Sequence, residues 1–156
     1  MADTQNSKVV VSRTIPASAS DIFDILSDPG KHQSFDGSGF VRGAVKPQRI
    51  SGTGQVFRMD MTGDHMGGDY QTDNTVVGFD QNKLIAWKTA PAGTEPPGWE
   101  WVWELTPNGP DSTDVQLTYD WSQVSDPELL KKVNFPLVTP EQLDGSLEKL
   151  SEAAGN

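Results

Sequence analysis

The stretch that most restricts the fold is GWEWVWEL, residues 98–105, in which Trp99, Trp101 and Trp103 take every second position and Glu100 and Glu104 stand between them. Side chains alternate across a strand, so period two gathers the indoles on one face and both carboxylates on the other. An unpaired carboxylate stays in water, which turns the indole face inward. Each ring removes about 150–250 Å² of surface from water, or roughly 4–6 kcal/mol as an upper bound at about 25 cal/mol per Å². The fold must therefore cover these rings, with its own side chains or with a ligand held against them.

The same alternation recurs along the chain. Phe57, Met59 and Met61 share a side against Arg58 and Asp60, and Val115, Leu117, Tyr119 and Trp121 share one against Gln116, Thr118 and Asp120. KVVVSRTI (8–15) reads as a first strand, and further strand candidates fall at 40–46, 54–61, 69–79, 83–90, 99–106 and 113–121. These seven are joined by short turn-rich segments with no helix-length crossover, which predicts antiparallel pairing. Behind the first strand, Ser18 is placed to cap a helix carrying Ile22, Ile25 and Leu26, ended by Asp28, Pro29 and Gly30; residues 29–39 then read as turns.

Past the last strand, residues 125–135 fit a short helix. Thr139, Pro140 and Gln142 then supply a cap, a first-turn proline and a capping-box partner for a longer one with Leu143, Leu147, Leu150 and Ala154 in a single stripe. Gly145 inside that helix costs up to about 1 kcal/mol relative to alanine, either tolerated or required by a close neighbour. One leucine stripe is thin cover for so much aromatic surface. A strongly curved sheet wrapped around the helix would leave a cavity, with the usual ligand range of about 300–1,000 Å³ as the expectation.

With 156 residues, the chain fits one domain, 1–156, in which residues 1–7 are expected to be a polar, flexible N-terminus. It has no cysteine, which rules out disulfides, thiol nucleophiles and thiolate zinc sites. The opening MADTQNSK has no signal-peptide pattern and no segment has the length of an apolar membrane span, so a soluble cytoplasmic protein without membrane insertion is expected. Twelve basic against 22 acidic residues leave a net charge of −10, which repels phosphate backbones and argues against a nucleic-acid partner.

Order and residues together resemble the START / polyketide cyclase superfamily (SRPBCC), in its bacterial polyketide cyclase/dehydrase-like branch. The resemblance spans nearly the whole chain and rests on KVVVSRTIPASASDIFDILSDP, DGSGFV (36–41), NTVVGFDQNKLIAW (74–87), GWEWVWELTPNG (98–109) and TYDWS (118–122). It implies an α+β helix-grip fold: a seven-stranded curved antiparallel sheet around a long C-terminal helix, with short helices after strand 1 and an apolar cavity between sheet and helix. It also implies that some members cyclise or aromatise polyketides while others only bind sterols, lipids or hormones, so the fold does not choose between them.

The candidate chemistry is sparse. His32, Asp36 and Ser38 contain the residue types of a nucleophilic triad, but triads are defined by geometry, and DGSG is a turn composition with no GxSxG elbow. His65 lies among Asp60, Asp64 and Asp69 without repeated ligand spacing; it reads as a hairpin tip rather than a metal site, with a role in proton transfer as the alternative. Tyr70 and Asn74 share a strand face, and either they or Val77 and Phe79 point inward. Arg58 pairs with Asp60 or a neighbouring strand on the outer face. Trp87 and Trp121 need partners for their N–H groups if buried.

The expected function is therefore binding of a small hydrophobic ligand (aromatic, polyketide-like or lipid-like), with no cofactor and no metal. The expected walls are Phe57, Met59, Met61, Trp99, Trp101, Trp103 and Tyr119, with Leu143 and Leu147 from the helix and Tyr70 and Asn74 as polar contacts. Adaptable methionines suit such a site. The alternative is a cyclase, aromatase or dehydratase acting on a ligand in the same cavity, its catalytic residues not marked by any motif.

Overall fold

The computed structural model describes residues 3–5, 8–46, 48–63, 67–94, 98–124 and 138–155. The strands are β1 (Asp3–Gln5), β2 (Lys8–Ile15), β3 (Val41–Val45), β4 (Val56–Gly63), β5 (Gly68–Asp80), β6 (Leu84–Pro91), β7 (Glu100–Pro107) and β8 (Thr113–Asp120). They form one curved antiparallel sheet in the order β1-β2-β8-β7-β6-β5-β4-β3. The seven expected strands are all present, with ends shifted by at most two residues or so. The eighth is Asp3–Gln5, which pairs with β2 at the sheet edge where the sequence predicts a flexible start.

Helix α1 (Ala19–Leu26) begins as expected, the Ser18 hydroxyl accepting the Asp21 N–H at 3.1 Å. The turn-rich stretch behind it is instead a 3₁₀ helix, Pro29–Phe35, capped by the Asp28 carboxylate on the Gly30 N–H at 3.0 Å. Its inward residues Pro29, His32 and Phe35 recur at spacing three, the period of that helix. Helix α2 (Pro140–Gly155) opens with a reciprocal capping box: the Thr139 N–H donates to Gln142 Oε1 (2.9 Å) and the Gln142 N–H to Thr139 Oγ1 (3.2 Å). Leu143, Leu147 and Leu150 are fully buried, so the stripe is the helix's core face, packed against β2, β8, α1 and the 3₁₀ helix. The helix expected at 125–135 lies outside the described residues.

Period two sorts the sheet as expected. Val115, Leu117, Tyr119 and Trp121 are buried with Phe57, Met59 and Trp103, while Glu104 and Arg58 face outward. Arg58 makes a two-pronged contact with Asp73 of neighbouring β5, at 2.7 and 3.0 Å, and Asp60 accepts from Gln71 instead. The Arg58 hydrogen bonds hold the Asp73 carboxyl below its usual range. On β5 both alternatives are partly realised: Tyr70, Thr72, Asn74 and Val76 turn inward and Val77 is exposed, but a bulge between Val76 and Gly78 shifts the alternation. Phe79 therefore also reaches the core, edge-on to Phe23 at 5.5 Å.

Candidate functional site

Between the inner face of the sheet, the 3₁₀ helix and the start of α2 lies a cavity of about 200 Å³. It is smaller than the expected range because rings from the 3₁₀ helix fill one end: His32 stacks on Trp87 (ring centroids 5.0 Å, 20° between planes), and Phe35 meets Trp103 edge-on at 5.4 Å. Phe57 closes the same corner, 5.4 Å from both His32 and Trp87. Toward the other end Trp101 and Tyr119, paired across β7 and β8, stack at 4.3 Å and 14°. Burial falls along β7 from Trp103, fully covered, to Trp101 and Trp99, half-covered, so the indole row runs from the core to the cavity rim. Gly98 starts that row with a φ of 130°, its Cα so close to the Gln123 carbonyl that a Cβ would sit 2.5 Å from it.

The polar groups on the wall are mostly committed to one another. Asn74 Nδ2 donates to the Phe57 carbonyl (3.3 Å) and to Thr72 Oγ1 (3.2 Å), and the Thr89 hydroxyl donates to Asn74 Oδ1 (2.7 Å). A backbone carbonyl only accepts, which fixes the orientation of the amide. Asp36 accepts from the Ser38 N–H and hydroxyl through one oxygen, at 3.0 and 2.6 Å, and from the Val41 N–H through the other, at 3.0 Å. His32 Nε2 lies 2.9 Å from the Leu26 carbonyl. Among the described residues no hydrogen bond joins His32 to Asp36 or Ser38, so the three residue types do not form a triad. Burial lowers the His32 pKa to about 4, against the smaller opposing effects of the Leu26 carbonyl and Asp28. Burial, with the Asp36 charge beside it, raises the Tyr70 phenol to about 12. Both side chains are neutral near pH 7.

A family model described as polyketide cyclase / dehydrase and lipid transport matches residues 7–154. The chain belongs to this family. It is 31% identical over 121 residues to an uncharacterized protein of Mycobacterium tuberculosis, Rv0088, a match taking in 78% of this chain and 50% of that one. The chain thus spans about half the length of the curated relatives it matches. Among solved structures, a START superfamily protein from Mycobacterium smegmatis aligns with a TM-score of 0.61 at 22% identity, over 95% of this chain and 94% of that chain. Truncated norcoclaurine synthase from Thalictrum flavum aligns with a TM-score of 0.59 at 22% identity, over 96% of each. Protein Ms6760 from Mycobacterium smegmatis reaches 0.71 at 14% identity, over 97% of this chain and 94% of that chain. These likenesses show a shared helix-grip fold. Among the described residues no helix is long and apolar enough to cross a membrane.

In this family member, Phe57, Met59, Met61, Tyr70, Asn74, Trp99, Trp101, Trp103, Tyr119 and Leu143 all line the cavity. Leu147, expected beside them, does not: it is fully buried one turn further along α2. His65 lies outside the described residues. The wall also holds residues that the face counting passed over, chiefly His32, Phe35, Thr72, Trp87, Thr89 and Ser146. Thr72 and Thr89 were within reach of it, lying two positions from Asn74 and from Trp87. Replacing Thr89 with valine leaves the buried Asn74 oxygen without its donor and is expected to lower stability by about 1–2 kcal/mol. Urea unfolding measures this, and an unchanged midpoint would contradict the hydrogen bond.

Proposed function

We propose that this chain acts as a single START-like domain that binds a small hydrophobic molecule, aromatic, polyketide-like or lipid-like, in the cavity between sheet and α2. The observation that carries this reading is the wall itself: four indoles, Trp101 among them stacked on Tyr119, and two methionines around unfilled volume, with the Asn74 amide tied to Thr72 and Thr89. Such a surface gains most from covering apolar area and is positioned to stack on a planar ligand. The family description, which includes both cyclase or dehydrase chemistry and lipid transport, supports the same reading.

A cyclase, aromatase or dehydratase acting on the bound molecule is the second reading, and two titratable groups of the wall, His32 and Tyr70, argue against it. A general acid or base works best with a pKa near the working pH. His32 near 4 and Tyr70 near 12 lie far to either side. Titration of the purified protein with sterols, fatty acids and polyphenols, followed by tryptophan emission, is expected to give a saturable change with at least one class. Trp101→Ala, which removes a stacking face, is expected to weaken that binding by about tenfold. No response from any class would overturn the binding reading. Turnover of a polyketide mimic, lost in Tyr70→Phe with binding retained, would favour the enzyme.

A further inference from the structure

Three polar groups of the cavity wall keep unmet hydrogen-bonding capacity among the described residues. Because its partner is a carbonyl oxygen, His32 Nε2 carries the ring proton, and the neutral imidazole presents a bare Nδ1 acceptor. Among the described residues nothing donates to that Nδ1, although His32 is 5% exposed and lines the cavity. Thr72 Oγ1 receives the Asn74 amide proton, so its own O–H points elsewhere and finds no acceptor among the described residues. Trp103 Nε1 is buried and likewise lacks an acceptor among them. His32 and Trp103 both pack on Phe35, with centroids 5.2 and 5.4 Å from its ring, so the bare acceptor and an unmet donor share one end of the cavity. Buried polar groups left in this state cost free energy that a matching ligand recovers.

The charges on the wall narrow the class further. Among the described lining residues there is no lysine or arginine, and Asp36 is the one carboxylate. An anionic ligand would lose its hydration without gaining a cation and would have no proton to offer Nδ1. An uncharged ligand hydroxyl has the proton that the bare His32 Nδ1 needs.

We propose that the cavity selects an uncharged aromatic ligand bearing a phenolic or enolic hydroxyl, which donates to His32 Nδ1, and that it discriminates against carboxylates, fatty acids included. This rests on the hydrophobic-binding reading above and names the ligand class for it.

The test is calorimetric titration of the full chain at about pH 7 with four probes of one ring system: naphthalene, 2-naphthol, 2-methoxynaphthalene and 2-naphthoate. 2-Naphthol is expected to bind about threefold to tenfold more tightly than its methyl ether, which keeps the oxygen and loses the proton, and at least about tenfold more tightly than the carboxylate. In His32→Phe, which retains a ring against Trp87, the naphthol-to-ether ratio is expected to fall to about one. Should that variant fail to fold, His65→Gln leaves one imidazole in a ¹⁵N spectrum, and its bare-nitrogen resonance is expected to move with 2-naphthol and stay put with the ether. Equal binding of naphthol and ether, an unmoved resonance, or preference for the carboxylate overturns this inference while leaving hydrophobic binding intact. Failure of all four probes to bind while a sterol or fatty acid still binds overturns this inference alone; failure of every class overturns both.

Discussion

Gly37→Ala is expected to cost about 3 kcal/mol of stability, while the same change at Gly145, the glycine facing it, is expected to be neutral or to add up to about 1 kcal/mol. The contrast comes from the crossing of the 36–41 loop over α2. A Cβ on Gly37 would lie 2.0 Å from the Gln142 carbonyl oxygen and 2.7 Å from the Ser146 nitrogen, both backbone atoms of the helix that no rotamer change can move aside. At Gly145 the nearest atom to an added Cβ is the Gly37 Cα at 4.0 Å, an ordinary contact. The missing side chain that brings loop and helix together is therefore the one on the loop, and Gly145 is simply tolerated. Three hydrogen bonds hold the crossing: Gly37 N–H to Ser146 Oγ (2.8 Å), Gln142 Nε2 to the Ser38 carbonyl (3.5 Å) and Lys149 Nζ to the Asp36 carbonyl (3.1 Å). Because Asp36, Ser38, Leu143 and Ser146 line the cavity, pushing the loop off the helix is also expected to weaken ligand binding. Urea unfolding of the two variants beside the parent decides it, and equal midpoints for Gly37→Ala and the parent would mean that loop and helix do not meet as described.

The parts of this fold that were readable in the sequence are those governed by a single local period. Alternation in GWEWVWEL and in 115–121 announces both strand and face, because one wrong step would put an indole in water or a carboxylate in the core. The caps at Ser18 and Thr139 are readable for a similarly local reason: the side chain that ends each run of orphan N–H groups is three residues from the group it satisfies. The 3₁₀ helix escaped because Pro29, His32 and Phe35 repeat every three residues in a stretch whose proline, glycine and serine otherwise spell turns. Without that period, His32 reads from its neighbours Asp36 and Ser38 rather than as a ring in the wall. The bulge in β5 escaped too, although a glycine inside a strand, Gly78, is its usual sign. Cavity volume depends on how far helix and sheet stand apart, which no local pattern encodes, and so the expected range was too large.

Acid is expected to destabilise this protein from about pH 6.5 downward, and His32 is the cause. The unfolded chain takes up a proton on this residue near pH 6.5, whereas the folded chain refuses it until about pH 4, because the ring is sealed among Phe35, Phe57 and Trp87 with only the Leu26 carbonyl and the Asp28 charge to favour the cation. Between those values the unfolded state holds more protons, so stability rises with pH: the contribution is complete above about 6.5 and is lost as pH falls toward 4. At pH 5 the loss amounts to roughly 2 kcal/mol. Asp73, whose carboxyl Arg58 holds below the ordinary 3.8, acts only in a more acidic window. His32→Phe removes the proton-binding site while keeping a ring against Trp87, and the variant is expected to lose about 2 kcal/mol less than the parent between pH 7 and 5. Comparing the two chains also cancels the titration of His65, which both retain. The same seal that makes His32 acid-sensitive keeps it neutral near pH 7, which is the state in which Nδ1 can accept a ligand proton. Equal losses in parent and variant would show that folding does not hold the His32 pKa down.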